Sequence, residues 1–87
     1  MDKHKMTLRI FNEDYQIKTE IAENQVVRLA QLVNEKMLKI AQNQSALTPS
    51  KVAVLAALEL AGELEALQAD YQEVLNLVNE NNEELKG

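Results

Sequence analysis

Few residues in this 87-residue chain are of types that make or break bonds. His4 is its one histidine and cysteine is absent, which removes disulfides, thiolate metal sites, iron-sulfur ligation and a cysteine nucleophile together. His4 lies four residues from the start and reads as a solvated tail residue rather than a ligand or a base. Ser45 and Ser50 have no histidine placed to activate them, and with Gly62 and Gly87 as the two glycines no phosphate-cradling loop exists. The carboxylate pairs Glu63 with Glu65 and Glu83 with Glu84 fall on an acidic stretch without a pocket or apolar wall to shift a pKa. The expectation is a non-enzyme with no catalytic, cofactor-binding or metal site.

The residues that remain are suited to binding, and their distribution is uneven. Nine Lys/Arg against 14 Asp/Glu give a net charge of −5. Residues 1–51 hold eight of the bases and six acids, a net of +2, while residues 52–87 hold Lys86 and eight acids, a net of −7. An acidic chain is a poor partner for nucleic acid or an anionic membrane. No apolar run approaches a membrane span, and the opening Met-Asp-Lys-His-Lys leads into an alternating segment rather than a signal sequence, so the cytoplasm is the default assignment.

The elements that position these charges follow from periodicity. Met6, Leu8 and Ile10 alternate with Lys5, Thr7, Arg9 and Phe11, as a half-buried strand requires. Asn12-Glu13-Asp14 reads as a short connection, after which Tyr15, Ile17 and Thr19 resume a period of two. A lone hairpin is marginal in water, so it must lie on helices or pair across an oligomer.

A first helix is predicted from a start between Ala22 and Asn24 to about Gln42, with Glu20 and Glu23 near its positive end. Val26, Leu29, Ala30, Val33, Met37, Ile40 and Ala41 fall within roughly a 120° arc at about 100° per residue. Val27 and Leu38 border that stripe and Leu32 lies outside it, either as scattered surface residues or as a second contact face.

Thr48-Pro49-Ser50-Lys51 then reads as a helix start. Thr48 is the N-cap, Pro49 occupies N1 where its missing N–H costs nothing, and Leu47 and Val52 form a hydrophobic staple. With no later proline the second helix extends to about Leu85, on the order of 55 Å. A head of ~50 residues is only about 20 to 25 Å across, so more than half the helix projects beyond it.

The projecting part carries a heptad. Ala57, Leu64, Tyr71, Val78 and Leu85 recur as a, and Leu60, Leu67, Val74 and Asn81 as d. Leu75 and Leu77 at e and g widen the face near its distal end, which suits a tetramer, with a dimer as the alternative. Asn81 either sets register or marks a fraying tip. Gly62, at an outward f position, marks a bend where the stalk leaves the head. The reading is an α+β chain: residues 1–51 form a ββα head, residues 52–87 a coiled-coil stalk whose helix starts near residue 49, and the whole is an obligate homo-oligomer. A ribbon-helix-helix DNA-binding protein is the alternative that Lys5, Thr7 and Arg9 raise, but that fold has one strand and two short helices.

Leu8-x-Ile10 with Tyr15-x-Ile17, Val33 to Met37 with Lys36-Met37, and above all Lys51-x-x-Val54-Leu55-x-Ala57-Leu58 to Glu63-Leu64 resemble the Z-ring-associated protein A (ZapA) family over nearly the whole chain. Asn12 stands where the family usually has Gly, and Glu59 where Asn is common. The resemblance implies a bacterial division factor at the mid-cell Z-ring that binds the tubulin-like GTPase FtsZ and bundles its protofilaments, as a dimer or an antiparallel tetramer and without catalysis or cofactor. Candidates for the FtsZ-facing surface are Lys5, Arg9, Lys18, Arg28, Glu35 and Lys39, which lie on exposed strand positions or opposite the apolar stripe. Candidates for oligomerisation are Ala57, Leu60, Leu64, Leu67, Tyr71, Val74, Leu75, Leu77, Val78 and Leu85. The alternative function is a generic coiled-coil adaptor for another cytoskeletal or division protein.

The stalk's acids repel one another while its seam does not depend on charge. Self-association measured by sedimentation equilibrium should therefore tighten as salt rises. A dissociation constant that weakens with salt contradicts this reading.

Overall fold

The structure is a computed structural model that describes residues 2–44 and 46–86, with side chains described through position 81. Strands β1 (His4–Ile10) and β2 (Glu13–Thr19) precede helices α1 (Glu23–Asn43) and α2 (Pro49–Lys86). The α+β order expected from periodicity is the order observed.

β1 and β2 form an antiparallel pair in which His4 faces Thr19, Met6 faces Ile17, Leu8 faces Tyr15 and Ile10 faces Glu13. Along β1, His4, Met6, Leu8 and Ile10 are half-buried while Lys5, Thr7 and Arg9 are exposed, the alternation that a one-sided strand produces. In β2 only Ile17 and Thr19 are half-buried, and Tyr15 is exposed.

The connection differs from the expected Asn12-Glu13-Asp14. It is the two residues Phe11 and Asn12, with φ of 52° and 65°, while Glu13 and Asp14 already belong to β2. Paired left-handed residues are the mark of the hairpin loop whose twist matches that of its strands. Asn tolerates this conformation; an aromatic residue does so at a cost of about 1–2 kcal/mol. Phe11 also leaves the outward strand face assigned to it by alternation. Its ring is half-buried against the core, and its backbone N–H donates to Asn34 Oδ1 at 2.8 Å. His4, expected in the solvated tail, opens β1 instead, half-buried and with Nε2 enclosed.

α1 starts where its acids predicted, at Glu23, after Thr19 Oγ1 accepts the N–H of Ile21 at 3.1 Å. Val26, Met37 and Ile40 are buried and Ala30, Val33 and Ala41 half-buried, so most of the predicted stripe faces inward. Leu29 is the departure, at 45% exposed, and Val27, Leu32 and Leu38 are exposed with it.

α2 begins as its residues require. Thr48 Oγ1 accepts the N–H of Lys51 at 3.3 Å, the Thr48 carbonyl accepts from Val52 at 3.0 Å, and Pro49 occupies the first turn. Leu47 packs beside Val52 against the core, which completes the staple.

The core gathers Met37 and Ile40 from α1 with Val52 and Ala56 from the first turns of α2, and Ile10, Phe11, Val33, Leu47 and Leu55 surround them. Val52 and Ala56 are each only 1% exposed. Burying each large apolar side chain contributes roughly 1.5–3 kcal/mol. Two compact units result, one ending at Ala56 and the other beginning at Ala57 as an uninterrupted continuation of the helix.

Asn34 is the acceptor that fastens the hairpin turn to α1. Asn34→Ala should lower stability by about 1–2 kcal/mol, because a part-buried N–H loses its partner. Asn34→Asp, which keeps an acceptor, should lose less. Chemical denaturation at fixed protomer concentration checks both, and an unmoved midpoint in the Ala variant rejects the role.

Candidate protein-interaction surfaces

The outward face of the hairpin is polar because the inward face takes up the apolar half of the alternation. Strand register places Lys5 directly opposite Lys18, Thr7 opposite Gln16 and Arg9 opposite Asp14. Arg9 Nη1 donates to Asp14 Oδ1 at 3.0 Å, an exposed ion pair that neutralises much of the charge Arg9 offers. Lys5 and Lys18 are like charges across the ladder, an arrangement that works against pairing and creates a local positive patch.

The other three head candidates come from α1. Arg28, Glu35 and Lys39 are all exposed, and their spacing of seven and four residues aligns them along one side of the helix. Pairing thus brings Lys5 and Lys18 together, while helical spacing lines up Arg28, Glu35 and Lys39. A shallow groove runs between β1 and α1, lined by Thr7, Leu8 and Arg9 on one side and by Val27, Ala30, Gln31 and Asn34 on the other. The groove was not apparent from periodicity, because it depends on where Asn34 anchors the turn.

At the far side of the ladder the Tyr15 hydroxyl donates to Glu13 Oε2 at 2.9 Å. That hydrogen bond, with partial desolvation and the carboxylate's own charge behind it, raises the phenol above its ordinary 10.0. The i, i+2 spacing on one strand face was the available signal for this pair.

The second surface is the row of apolar residues on α2. Leu64, Leu67, Tyr71, Val74, Leu77 and Val78 are 48–66% exposed, Leu75 is 37% exposed, and Leu60 is half-buried. Ala57 is exposed as well. Leu85 lies outside the described side chains. Val54 and Leu58, at 60% and 64% exposed, add apolar area off the a/d row near the start of the helix. Gln72 Nε2 donates to Asn76 Oδ1 at 3.1 Å across one turn, on the side away from the a and d positions. Among the described residues no group of three or more His, Asp or Glu is placed to hold a metal, and no helix is long and apolar enough to cross a membrane.

A hairpin and helix that share a small core with the first turns of a long helix, whose later apolar row is exposed, define a small α+β protein. Comparison with known proteins gives that class a family. Residues 6–87 match the family model described as "Cell division protein ZapA". The chain is 32% identical over 77 residues to the cell division protein ZapA of Oceanobacillus iheyensis, covering 88% of this chain and 90% of that one. It is also similar to the structure of a ZapA mutant dimer from Geobacillus stearothermophilus, with a TM-score of 0.71 and 28% identity over 91% of this chain and 92% of that chain. The chain belongs to the ZapA family of cell division proteins.

The Tyr15 phenol keeps its proton more tightly in the folded chain, so its bond contributes below its ordinary pKa and is lost as pH rises through the raised value. Glu13→Gln should bring the titration of Tyr15 back toward 10.0, followed through its own ring resonances by NMR. An unchanged titration shows that the carboxylate does not hold the proton.

Proposed function

We propose that this chain is a non-enzymatic bacterial division factor that binds FtsZ and crosslinks its protofilaments to promote assembly and stability of the Z-ring at mid-cell in the cytoplasm. The observation that carries this reading is the apolar row on α2. Seven large side chains from Leu64 to Val78 each stand more than a third exposed in a single copy, far beyond what an unpartnered helix keeps in water. Their heptad spacing supports a seam between copies of this chain, with Ala57, Leu60 and Leu85 extending it at either end. The similar Geobacillus protein is described as a dimer, which supports a homodimer here. The broad face formed by Leu75 and Leu77 with Val74 and Val78 supports further association to a tetramer.

In this reading residues 1–51 bind and residues 52–87 assemble. Family membership supports FtsZ as the partner. The Lys5 and Lys18 patch, Arg9, and the line of Arg28, Glu35 and Lys39 are the contact residues, each supported by exposure and, for all but Arg9 with its Asp14 partner, by charge. An oligomer carrying several heads binds a repeating filament with avidity, so each head contact can be weak.

Co-sedimentation with GTP-assembled FtsZ from the same organism tests the proposal. The full chain should pellet with filaments and bundle them, and truncation after Gln68 should abolish bundling. Reversing Arg28 or Lys39 to Glu should weaken pelleting several-fold while oligomer mass stays constant. Failure to pellet at concentrations where the chain is oligomeric rejects FtsZ as partner and leaves a coiled-coil adaptor for another division protein.

A further inference from the structure

Gly62 sits in the interior of α2, at the outward f position of the heptad where a bend is expected. A methyl group on its Cα would meet nothing within 4 Å, so no close packing inside the chain requires the missing side chain. Its backbone is not left-handed, so no turn requires glycine either. In an exposed helix interior, glycine is roughly 1 kcal/mol less favourable than alanine. Around it stand Ala61, Glu63, Leu64, Glu65 and Ala66, all strong helix formers, which makes the glycine the locally weak residue.

Its position along the helix is the second observation. Ala56, 1% exposed, is the last residue of α2 buried in the head core. The first large a-position residue is Leu64, with exposed Ala57 and half-buried Leu60 before it. Within the chain residues 57–63 are thinly packed, with Leu60 alone half-buried and the other six exposed, and packing is what holds most protein helices together. Low intrinsic stability and thin packing within the chain coincide on the same two turns.

We propose that Gly62 makes these turns a built-in opening point, where the backbone hydrogen bonds of α2 break and re-form far more often than on either side. Its use rests on the crosslinking reading: a stalk that yields at one place lets each head seat on its own filament over a range of filament spacings. Its existence does not rest on that reading, because opening is a property of the chain alone.

Residue-resolved amide hydrogen exchange on the full-length oligomer tests it, with wild type beside Gly62→Ala. The amides of Gly62 to Ala66, whose helical bonds span the glycine, should exchange faster than those of Val52 to Ala56 and of Leu67 to Tyr71. Gly62→Ala should slow them roughly five-fold at unchanged oligomer mass, the factor that about 1 kcal/mol represents. Exchange no faster than in both flanks, or unmoved by the substitution, overturns the opening point. In micrographs of FtsZ bundles the variant should narrow the distribution of filament spacings, and an equal spread overturns the proposed use. If wild type forms no bundles the crosslinking reading fails, and the exchange rates alone decide whether the opening point exists.

Discussion

Closing a hairpin in two residues demands left-handed backbone at both of them, and in this chain an aromatic side chain has to meet that demand. Phe11 stays at φ 52° because the rest of the head over-determines it. Asn34 accepts its N–H from across 23 residues, and its ring packs beside Ile10 and Val33 against Met37, Ile40, Val52 and Ala56. The dependence runs both ways. A two-stranded hairpin is barely stable in water, and its attachment to α1 gives the strands a surface on which to lie. The same attachment creates the groove between β1 and α1 and orients the outward strand face with Lys5 and Arg9.

α2 lives in two environments, and its residues change accordingly. Over its first turns it is an ordinary core helix, capped by Thr48 and buried through Val52 and Ala56. Beyond Ala56 no element of its own chain covers it within its unit, yet large apolar residues continue at heptad spacing. Water is the wrong solvent for that row: each large side chain brought out of it is worth roughly 1.5–3 kcal/mol. Membership of the ZapA family and likeness to a ZapA mutant dimer agree with a helix of this design.

Electrostatics plays a smaller, directional part. The one ion pair between described residues that spans the two strands, Arg9 with Asp14, is exposed on both sides and is worth well under 1 kcal/mol or so in water. Lys5 facing Lys18 costs the ladder a little, a cost that high dielectric keeps tolerable. Such charges tune encounter and specificity with a partner more than they stabilise the fold. The acids of α2 likewise repel one another only weakly through solvent and salt.

Element order, the inward face of β1, the start of α1 at Glu23 and the Thr48-Pro49 start of α2 were all legible in the residues, because each depends on neighbours within one or two turns or on a fixed period. The heptad was legible for the same reason. Tertiary structure alone decided that the turn is Phe11-Asn12, since alternation cannot weigh a strained φ against a ring seated in a core formed by distant residues. It also decided that Leu29 leaves the α1 stripe, that His4 joins β1 and that Lys5 faces Lys18, because burial and register depend on partners far away in the chain. Local chemistry determines where a helix or strand begins; which of its side chains meet, and which stay in water, is settled only when elements separated in sequence compete for the same small core.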